Sequence, residues 1–182
     1  MRISWSAADV NSDPLEAYEV LILTSDEETY VEEITYCDGE ADSNIRSNNY
    51  CDIPMTTLRA DPFFLVQGRA VIAKIRARNS IGWGPSSDST ESDDAATIQV
   101  EPHQMASPTR GELTTVNQVE VVWVALSGLA TGGSTIDSYH LQWDFATSGG
   151  SWYDLQGGPD SVDYSLLTSH LAVADIVAGT SY

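Results

Sequence analysis

One stretch of the 182-residue chain says most about its fold: residues 71–86, which read VIAKIRARNSIGWGPS. Over its first eight positions, apolar residues alternate with Ile72 and three cations. The apolar set is Val71, Ala73, Ile75 and Ala77. A period of two is typical of a strand with one face on a core and the other toward solvent. Asn79, Gly82 and Gly84 then supply residues that tolerate a positive φ, so the stretch predicts two strands joined by a tight turn.

The same period of two recurs along the rest of the chain. Ile3 and Trp5 alternate with polar residues, and so do Val119, Val121 and Trp123. Turn signals separate such runs, among them Gly132-Gly133, Gly149-Gly150 and Gly157-Gly158-Pro159. Many short strands joined by Gly, Pro and Asp turns predict an all-β sandwich or barrel, with strands in place of helices almost throughout.

A repeat of longer period predicts the number of domains. Three landmarks occur twice in the same order, first as Trp5, Tyr18 and Gly68, and then as Trp123, Tyr139 and Gly179. Their offsets of 118, 121 and 111 residues are typical of two copies of a module of about 100 residues with loops of unequal length. A last strand of the first module is expected over Thr97–Val100. The predicted modules are therefore residues 1–103 and 104–182.

The residues from Ala77 onward follow the pattern Ala-x-Asn-x-x-Gly-x-Gly-x-x-Ser. This pattern resembles a signature of fibronectin type III modules, which are seven-stranded immunoglobulin-like sandwiches. On that resemblance, the first copy has Trp5 in strand B, Tyr18 in strand C, Leu65 in strand E and residues 71–79 in strand F.

The second copy matches the family through Trp123, Tyr139, Ile176 and Tyr182. Tyr182 aligns with the family's tyrosine corner, whose hydroxyl bonds to nearby backbone. The counterpart of Tyr182 in the first copy is Val71, so that hydrogen bond is not expected there.

The resemblance implies two tandem fibronectin type III-like sandwiches that are incomplete within this chain. The first runs from strand B to strand G and lacks strand A, whereas the second runs from strand A to the start of F and lacks most of F and all of G. Two interpretations remain open: the chain is a segment of a longer repeat protein, or a neighbour supplies the missing strands.

Two cysteines, Cys37 and Cys51, flank a polar segment that is interpreted as a loop between strands. A disulfide closing this 15-residue loop would stabilise the fold by about 3 kcal/mol and would indicate an oxidising compartment. A reduced pair and metal ligation are the alternatives, although no His or third Cys lies nearby. The residues from Cys37 to Gly82 also resemble modules of long repetitive surface proteins of ciliated protists.

The charge balance excludes one class of partner. With 27 acidic and 8 basic residues, the net charge is -19, and a nucleic acid would be repelled. No apolar run approaches the ~18 residues of a membrane span, so no membrane insertion is expected in this segment. One acidic group near the module junction is a weak Ca²⁺ candidate, with a solvated acidic stretch as the alternative: Asp88, Glu91, Asp93 and Asp94.

No pattern of residues predicts catalysis or a cofactor. His103 falls in the expected linker, His140 on a strand beside Tyr139, and His170 in a loop before strand E. A relay from His140 to Asp137 and Asp144 is disfavoured, because strand spacing puts Asp144 on the face of His140 and Asp137 on the other. Nucleophile-elbow, metalloprotease and phosphate-binding signatures are absent from the sequence.

These patterns predict a non-enzymatic structural or adhesive module of a larger extracellular or cell-surface protein, acting as a spacer or as a filament or coat subunit. Its expected partners are other copies of itself or neighbouring modules, and the protist resemblance adds the ciliary surface as a location. A receptor ectodomain is the first alternative, in which Trp83, Trp152 and Tyr153 form a binding hot spot. An accessory module of a secreted enzyme is the second.

Overall fold

The computed structural model describes residues 1–9, 13–144, 147, 149–158, 167–173 and 176. The chain divides into two compact units, Met1–Val100 (unit 1) and Glu101–Tyr182 (unit 2). Most of the regular structure consists of short strands in antiparallel pairs. The predicted all-β class is therefore confirmed.

Unit 1 contains two sheets. In the first, β1 (Arg2–Ser4) pairs with β4 (Tyr50–Asp52). The second has the order β3-β2-β5-β6, with bounds Tyr30–Glu32, Ala17–Leu23, Ala73–Asn79 and Gly82–Trp83. Strands β5 and β6 are the two strands predicted over residues 71–86.

The core of unit 1 draws on both sheets. Val20 and Ile22 of β2 cluster with Cys51 of β4 and Ala73 of β5. Four further fully buried apolar side chains lie outside the strands, namely Ile53, Leu58, Phe63 and Ile98. Burying each side chain of this size contributes roughly 1.5–3 kcal/mol, so the connections stabilise the unit as much as the strands do.

Two short helices were not anticipated. Helix α1 (Ser43–Asn48) begins after Asp42, whose carboxylate accepts the Asn44 N–H, and ends at Asn49 in the left-handed conformation. Helix α2 spans Met55–Arg59. The interpretation of residues 37–51 as a loop between flanking strands is therefore wrong, because this segment holds α1 and its second cysteine lies on β4.

Two strand assignments in unit 1 are also wrong. Leu65 is buried but belongs to no strand, and β4 is the strand that pairs with β1. The expected strand over Thr97–Val100 is reduced to one bridge between Ala70 and Thr97, extended by a hydrogen bond from Gly68 N–H to the Ile98 carbonyl. An apolar residue can anchor a core from irregular backbone, so burial at these positions did not require a strand.

The turn between β2 and β3 is organised by one carboxylate. Asp26 accepts hydrogen bonds from the Thr24 hydroxyl and from the backbone N–H groups of Glu28 and Thr29, at 2.7, 2.9 and 2.9 Å. Its second oxygen accepts the Thr29 hydroxyl at 2.7 Å. Because these donors favour the ionised form, with the two threonine hydroxyls contributing most, the pKa of Asp26 lies well below its ordinary value.

Acid is expected to destabilise the chain partly through this turn. A carboxylate whose pKa is lowered by folding stabilises the native state above its unfolded pKa near 3.8, and that contribution is lost as the pH falls below it. Asp52, beside Arg2, and Asp154, beside Gln142 and His140, have lowered pKa values and act with the same sign. The urea concentration at the midpoint of unfolding should therefore decrease as the pH is lowered from 5 to 2.5. Asp26→Asn should be less stable at pH 6 and less steeply dependent on pH; an unchanged slope would contradict this role.

The described residues of unit 2 also form two antiparallel sheets. The first has the order β11-β8-β7, with bounds Ser169–Ala172, Val119–Val122 and Thr109–Arg110. The second pairs β9 (Leu141–Trp143) with β10 (Tyr153–Gln156), and a short 3₁₀ helix spans Gly128–Thr131. Trp123, Tyr139 and Ala172 are buried.

Three expectations for the second unit have different outcomes. His170 lies on β11, so its placement in a loop is wrong. Ile176 is half-buried and belongs to no strand. Tyr182, expected at the tyrosine corner, and Gly179 lie outside the described residues.

Candidate functional site

The landmark aromatics of unit 1 meet edge to face. The rings of Trp5 and Tyr18 have centroids 5.2 Å apart at 72°. The Tyr18 hydroxyl accepts the backbone N–H of Ala8 at 3.0 Å. The Trp5 Nε1 atom is buried and has no hydrogen-bond partner among the described residues.

Unit 2 repeats this arrangement. Trp123 and Tyr139 pack edge to face at 6.4 Å and 65°, and the Tyr139 hydroxyl accepts the Leu126 N–H at 2.9 Å. In both units the donor lies three residues after the tryptophan. Trp123 Nε1 is also buried without a partner in the described part of the chain. The two Trp–Tyr pairs noted in the sequence thus have the same contacts in both units.

A glycine completes each pair, and it is not the one chosen from the sequence. A Cβ at Gly39 would lie 2.5 Å from the Tyr18 carbonyl oxygen, and a Cβ at Gly157 would clash with the Tyr139 carbonyl oxygen in the same way. Gly68 instead has a φ of +77° and open space around its Cβ position. The close approach in space, which no local pattern encodes, is what requires glycine at Gly39, and at Gly157 it adds to the requirement of a φ of +67°.

The tyrosine hydroxyls provide a direct test of this shared unit. Tyr18→Phe and Tyr139→Phe are each expected to lower the free energy of unfolding by about 1 kcal/mol, since each leaves one backbone N–H without its acceptor. Urea denaturation of each variant measures the loss. Tyr30→Phe is the control, because no hydrogen bond to the Tyr30 hydroxyl is found within the described residues. An equal loss in that variant would contradict the assigned role.

Cys37 and Cys51 form the predicted disulfide, with Cα atoms 5.2 Å apart and both residues almost fully buried. The reduced pair and the metal site are therefore excluded as descriptions of this fold. The bond ties the segment that follows β3 in one sheet to β4 in the other. It thus cross-links the two sheets of unit 1 through their core.

A buried carboxylate holds the first cysteine in place. Glu33 is 2% exposed and accepts the backbone N–H groups of Thr35, Tyr36 and Cys37 at 3.1, 2.8 and 2.9 Å. Three N–H donors offset the cost of burying this charge. Nothing in the local sequence distinguishes Glu33 from its exposed acidic neighbours, so it could not be predicted.

The cations of β5 are partnered, so the expectation of a solvated cationic face is corrected. Arg76 pairs with the buried Glu19 directly across on β2, with Nη2 and Oε1 2.9 Å apart. The hydrogen bond to Glu19 is the main reason that the pKa of Arg76 is raised. The guanidinium groups of Arg76 and Arg78 lie 4.8 and 5.2 Å from the centre of the Trp83 ring. Cross-strand pairing therefore determines the chemistry of this face.

The turn after β5 is fixed by side-chain acceptors. Asn79 Oδ1 accepts the N–H groups of Ile81 and Gly82 at 3.1 and 3.3 Å, and Asp13 accepts the Ser80 N–H at 2.9 Å. Of the three residues expected to supply a positive φ, only Gly82 has one, at +146°. Asn79 acts through its side chain, and Gly84 N–H donates to the Ala77 carbonyl instead.

The acidic Ca²⁺ candidates do not converge. Asp88, Glu91, Asp93 and Asp94 are all exposed. Within the described residues, no group of three or more His, Cys, Asp or Glu side chains is arranged to hold a metal. The acidic stretch therefore fits the solvated alternative better than the cation site.

The histidines form no relay of the kind considered from the sequence. His140 lies just before β9, and its Nε2 atom is 2.7 Å from Asp154 Oδ1, an acceptor shared with Gln142. Asp144 instead accepts the Gly149 N–H. Pairing between β9 and β10, which local spacing could not reveal, brings Asp154 to His140.

The three aromatics proposed as a hot spot are partly exposed, at 38% for Trp83, 60% for Trp152 and 54% for Tyr153. Trp83 belongs to unit 1 and the other two to unit 2. None of the described helices is both long and apolar enough to cross a membrane.

Neither a family model nor a curated protein matches this chain. One solved structure that matches is the crystal structure of the FN1–FN3 domains of chicken CNTN1, at 14% identity and a TM-score of 0.38. The match covers 96% of this chain and 50% of that one, so this chain spans about half of its length.

Proposed function

We propose that this chain is a non-enzymatic structural or adhesive segment of a larger extracellular or cell-surface protein, built from two fibronectin type III-like modules at residues 1–103 and 104–182. One observation carries the proposal. The Trp–Tyr–Gly packing unit, with its hydrogen bond to the backbone three residues after the tryptophan, recurs in both compact units. A spacer needs modules that each hold their own core, and the repeated packing unit provides this in both units.

The disulfide supports an extracellular location. Such bonds persist in oxidising compartments and are rare in the cytosol. Cys37 and Cys51 are buried at the centre of unit 1, so the bond is a structural cross-link and not an exposed redox pair. A cell-surface protein, including one on a cilium as the protist resemblance suggests, would meet these conditions.

The charge of the chain supports a role in arrays. A net charge of -19 keeps neighbouring copies soluble and separated unless a specific contact overrides the repulsion. Copies of the same chain or neighbouring modules of one polypeptide are the proposed partners, in a filament, a coat or an extended spacer.

A receptor ectodomain is the second candidate, favoured by the partly exposed aromatics of both units, Trp83, Trp152 and Tyr153. Aromatic side chains of this kind dominate binding hot spots. An accessory role in a secreted enzyme has no specific contact in its favour.

Stretching single molecules of the full chain tests the spacer role. We expect two separate unfolding events, one for each unit. Reducing the Cys37–Cys51 bond frees a segment of sequence separation 14, which should lengthen the larger event by about 40 to 45 Å and leave the other unchanged. One event for the whole chain, or lengthening of both events, would refute two mechanically independent modules.

A further inference from the structure

We propose that unit 1 carries a docking surface, the turn groove, for a basic peptide segment of another protein that inserts an apolar side chain beside the β5–β6 turn. The groove is open to solvent, has a volume of about 500 Å³ and is lined in part by Leu15, Ile81, Trp83 and Pro85. That volume lies within the range of natural ligand sites, about 300–1,000 Å³. The proposal extends the adhesive side of the proposed function, and its failure would leave the spacer role standing.

Exposed apolar side chains on an ordered turn are the groups that an apolar side chain of the partner would contact. Ile81 is 88% exposed at the tip of the turn, so its side chain contributes little to the stability of unit 1. The acceptors on Asn79 and Asp13 fix the backbone on either side of it. Presenting an apolar side chain on backbone that is already ordered lowers the entropic cost of binding.

The charge around the turn groove specifies the partner. Asp9 and Asp13 line it, and its cationic lining residue, Arg78, is engaged by Glu40 at 2.8 Å and by Glu16 at 3.6 Å. Through Gln104 the chain has 19 acidic and 7 basic residues. Such a surface attracts Lys and Arg, and it repels nucleic acid and anionic lipid. A basic segment with one apolar side chain therefore fits this surface, because its cations would pair with the acidic residues and its apolar side chain would occupy the groove.

The test uses the full chain, labelled with ¹⁵N, and a peptide probe of sequence GKGKLKGKG. We expect amide shifts centred on Ser80–Gly84 and Asp13, with binding that weakens as salt is raised. Two matched peptides separate the contributions: replacing Leu by Gly should weaken binding at least fivefold, and replacing every Lys by Glu should abolish it.

Two variants make the test specific to the groove. Ile81→Ser should weaken binding of the probe at least fivefold. Val66→Ser, which alters a 67% exposed side chain outside the groove lining, should change it less than twofold. A dispersed spectrum checks that each variant is folded. Absence of binding to folded chain, shifts spread over the whole acidic surface, or equal effects of the two variants would overturn the proposal.

Discussion

Gly39→Ala should lower the free energy of unfolding of unit 1 by about 3 kcal/mol, because the new methyl group would be forced against backbone. Its Cβ would lie 2.5 Å from the Tyr18 carbonyl oxygen and 2.9 Å from both the Tyr18 nitrogen and its Cβ. None of these atoms belongs to a flexible side-chain end, and Tyr18 lies on a central strand. The strand itself would have to move, which strains the Trp5–Tyr18 contact.

Urea denaturation of the variant and of the parent chain measures this loss of stability. Gly84→Ala is the matched control in the same unit, since its Cβ would lie 3.5 Å from the Ala77 carbonyl oxygen, an ordinary contact. We expect it to change stability by less than about 0.5 kcal/mol. Gly157→Ala should repeat the large loss in unit 2. Equal stability of Gly39→Ala and Gly84→Ala would show that the close approach to Tyr18 does not constrain the fold.

Removing the disulfide should cost a similar amount. The double variant Cys37→Ala with Cys51→Ala is expected to be about 3 kcal/mol less stable, because the denatured chain regains the freedom of the 15-residue loop. The same cost should follow reduction of the parent chain in denaturant. Reductant should have no effect on the double variant, which serves as the control.

The state of the two cysteines also tests the proposed extracellular location. Because the two sulfurs are bonded to each other, a thiol reagent should find no free cysteine in chain that is purified without reductant and then unfolded in urea to expose both positions. Two free thiols under those conditions would remove the principal support for an extracellular site. The double variant would then be expected to match the parent in stability.

Side-chain alternation was enough to predict the class of the fold and several of its strands. The run from Val71 to Arg78 has the strand period at every position except Ile72, and most of it belongs to β5. The tryptophans and tyrosines could be paired from sequence because each unit repeats them at nearly constant spacing. The cysteines could be paired because only two exist.

The features that escaped prediction depend on short elements or on distant partners. Helices α1 and α2 have six and five residues, too few for a 3.6-residue period to become visible. The pairing of β1 with β4 joins residues about fifty positions apart, so no local pattern marks β4, and the apolar Leu65 resembles a strand position instead. His140 and Asp154 meet across two strands, and Gly39 meets Tyr18 through the packing of a connection.

The glycines that contact the tyrosine carbonyls, Gly39 and Gly157, lie at the same distance along the chain from their tryptophans. The tyrosine follows the tryptophan by 13 residues in unit 1 and by 16 in unit 2, yet the glycine lies 34 residues after the tryptophan in both. The segment from tryptophan to tyrosine is three residues longer in unit 2, and the segment from tyrosine to glycine is three residues shorter. We therefore expect any further copy of this packing unit to keep tryptophan and glycine 34 positions apart along the chain, with a tyrosine between them.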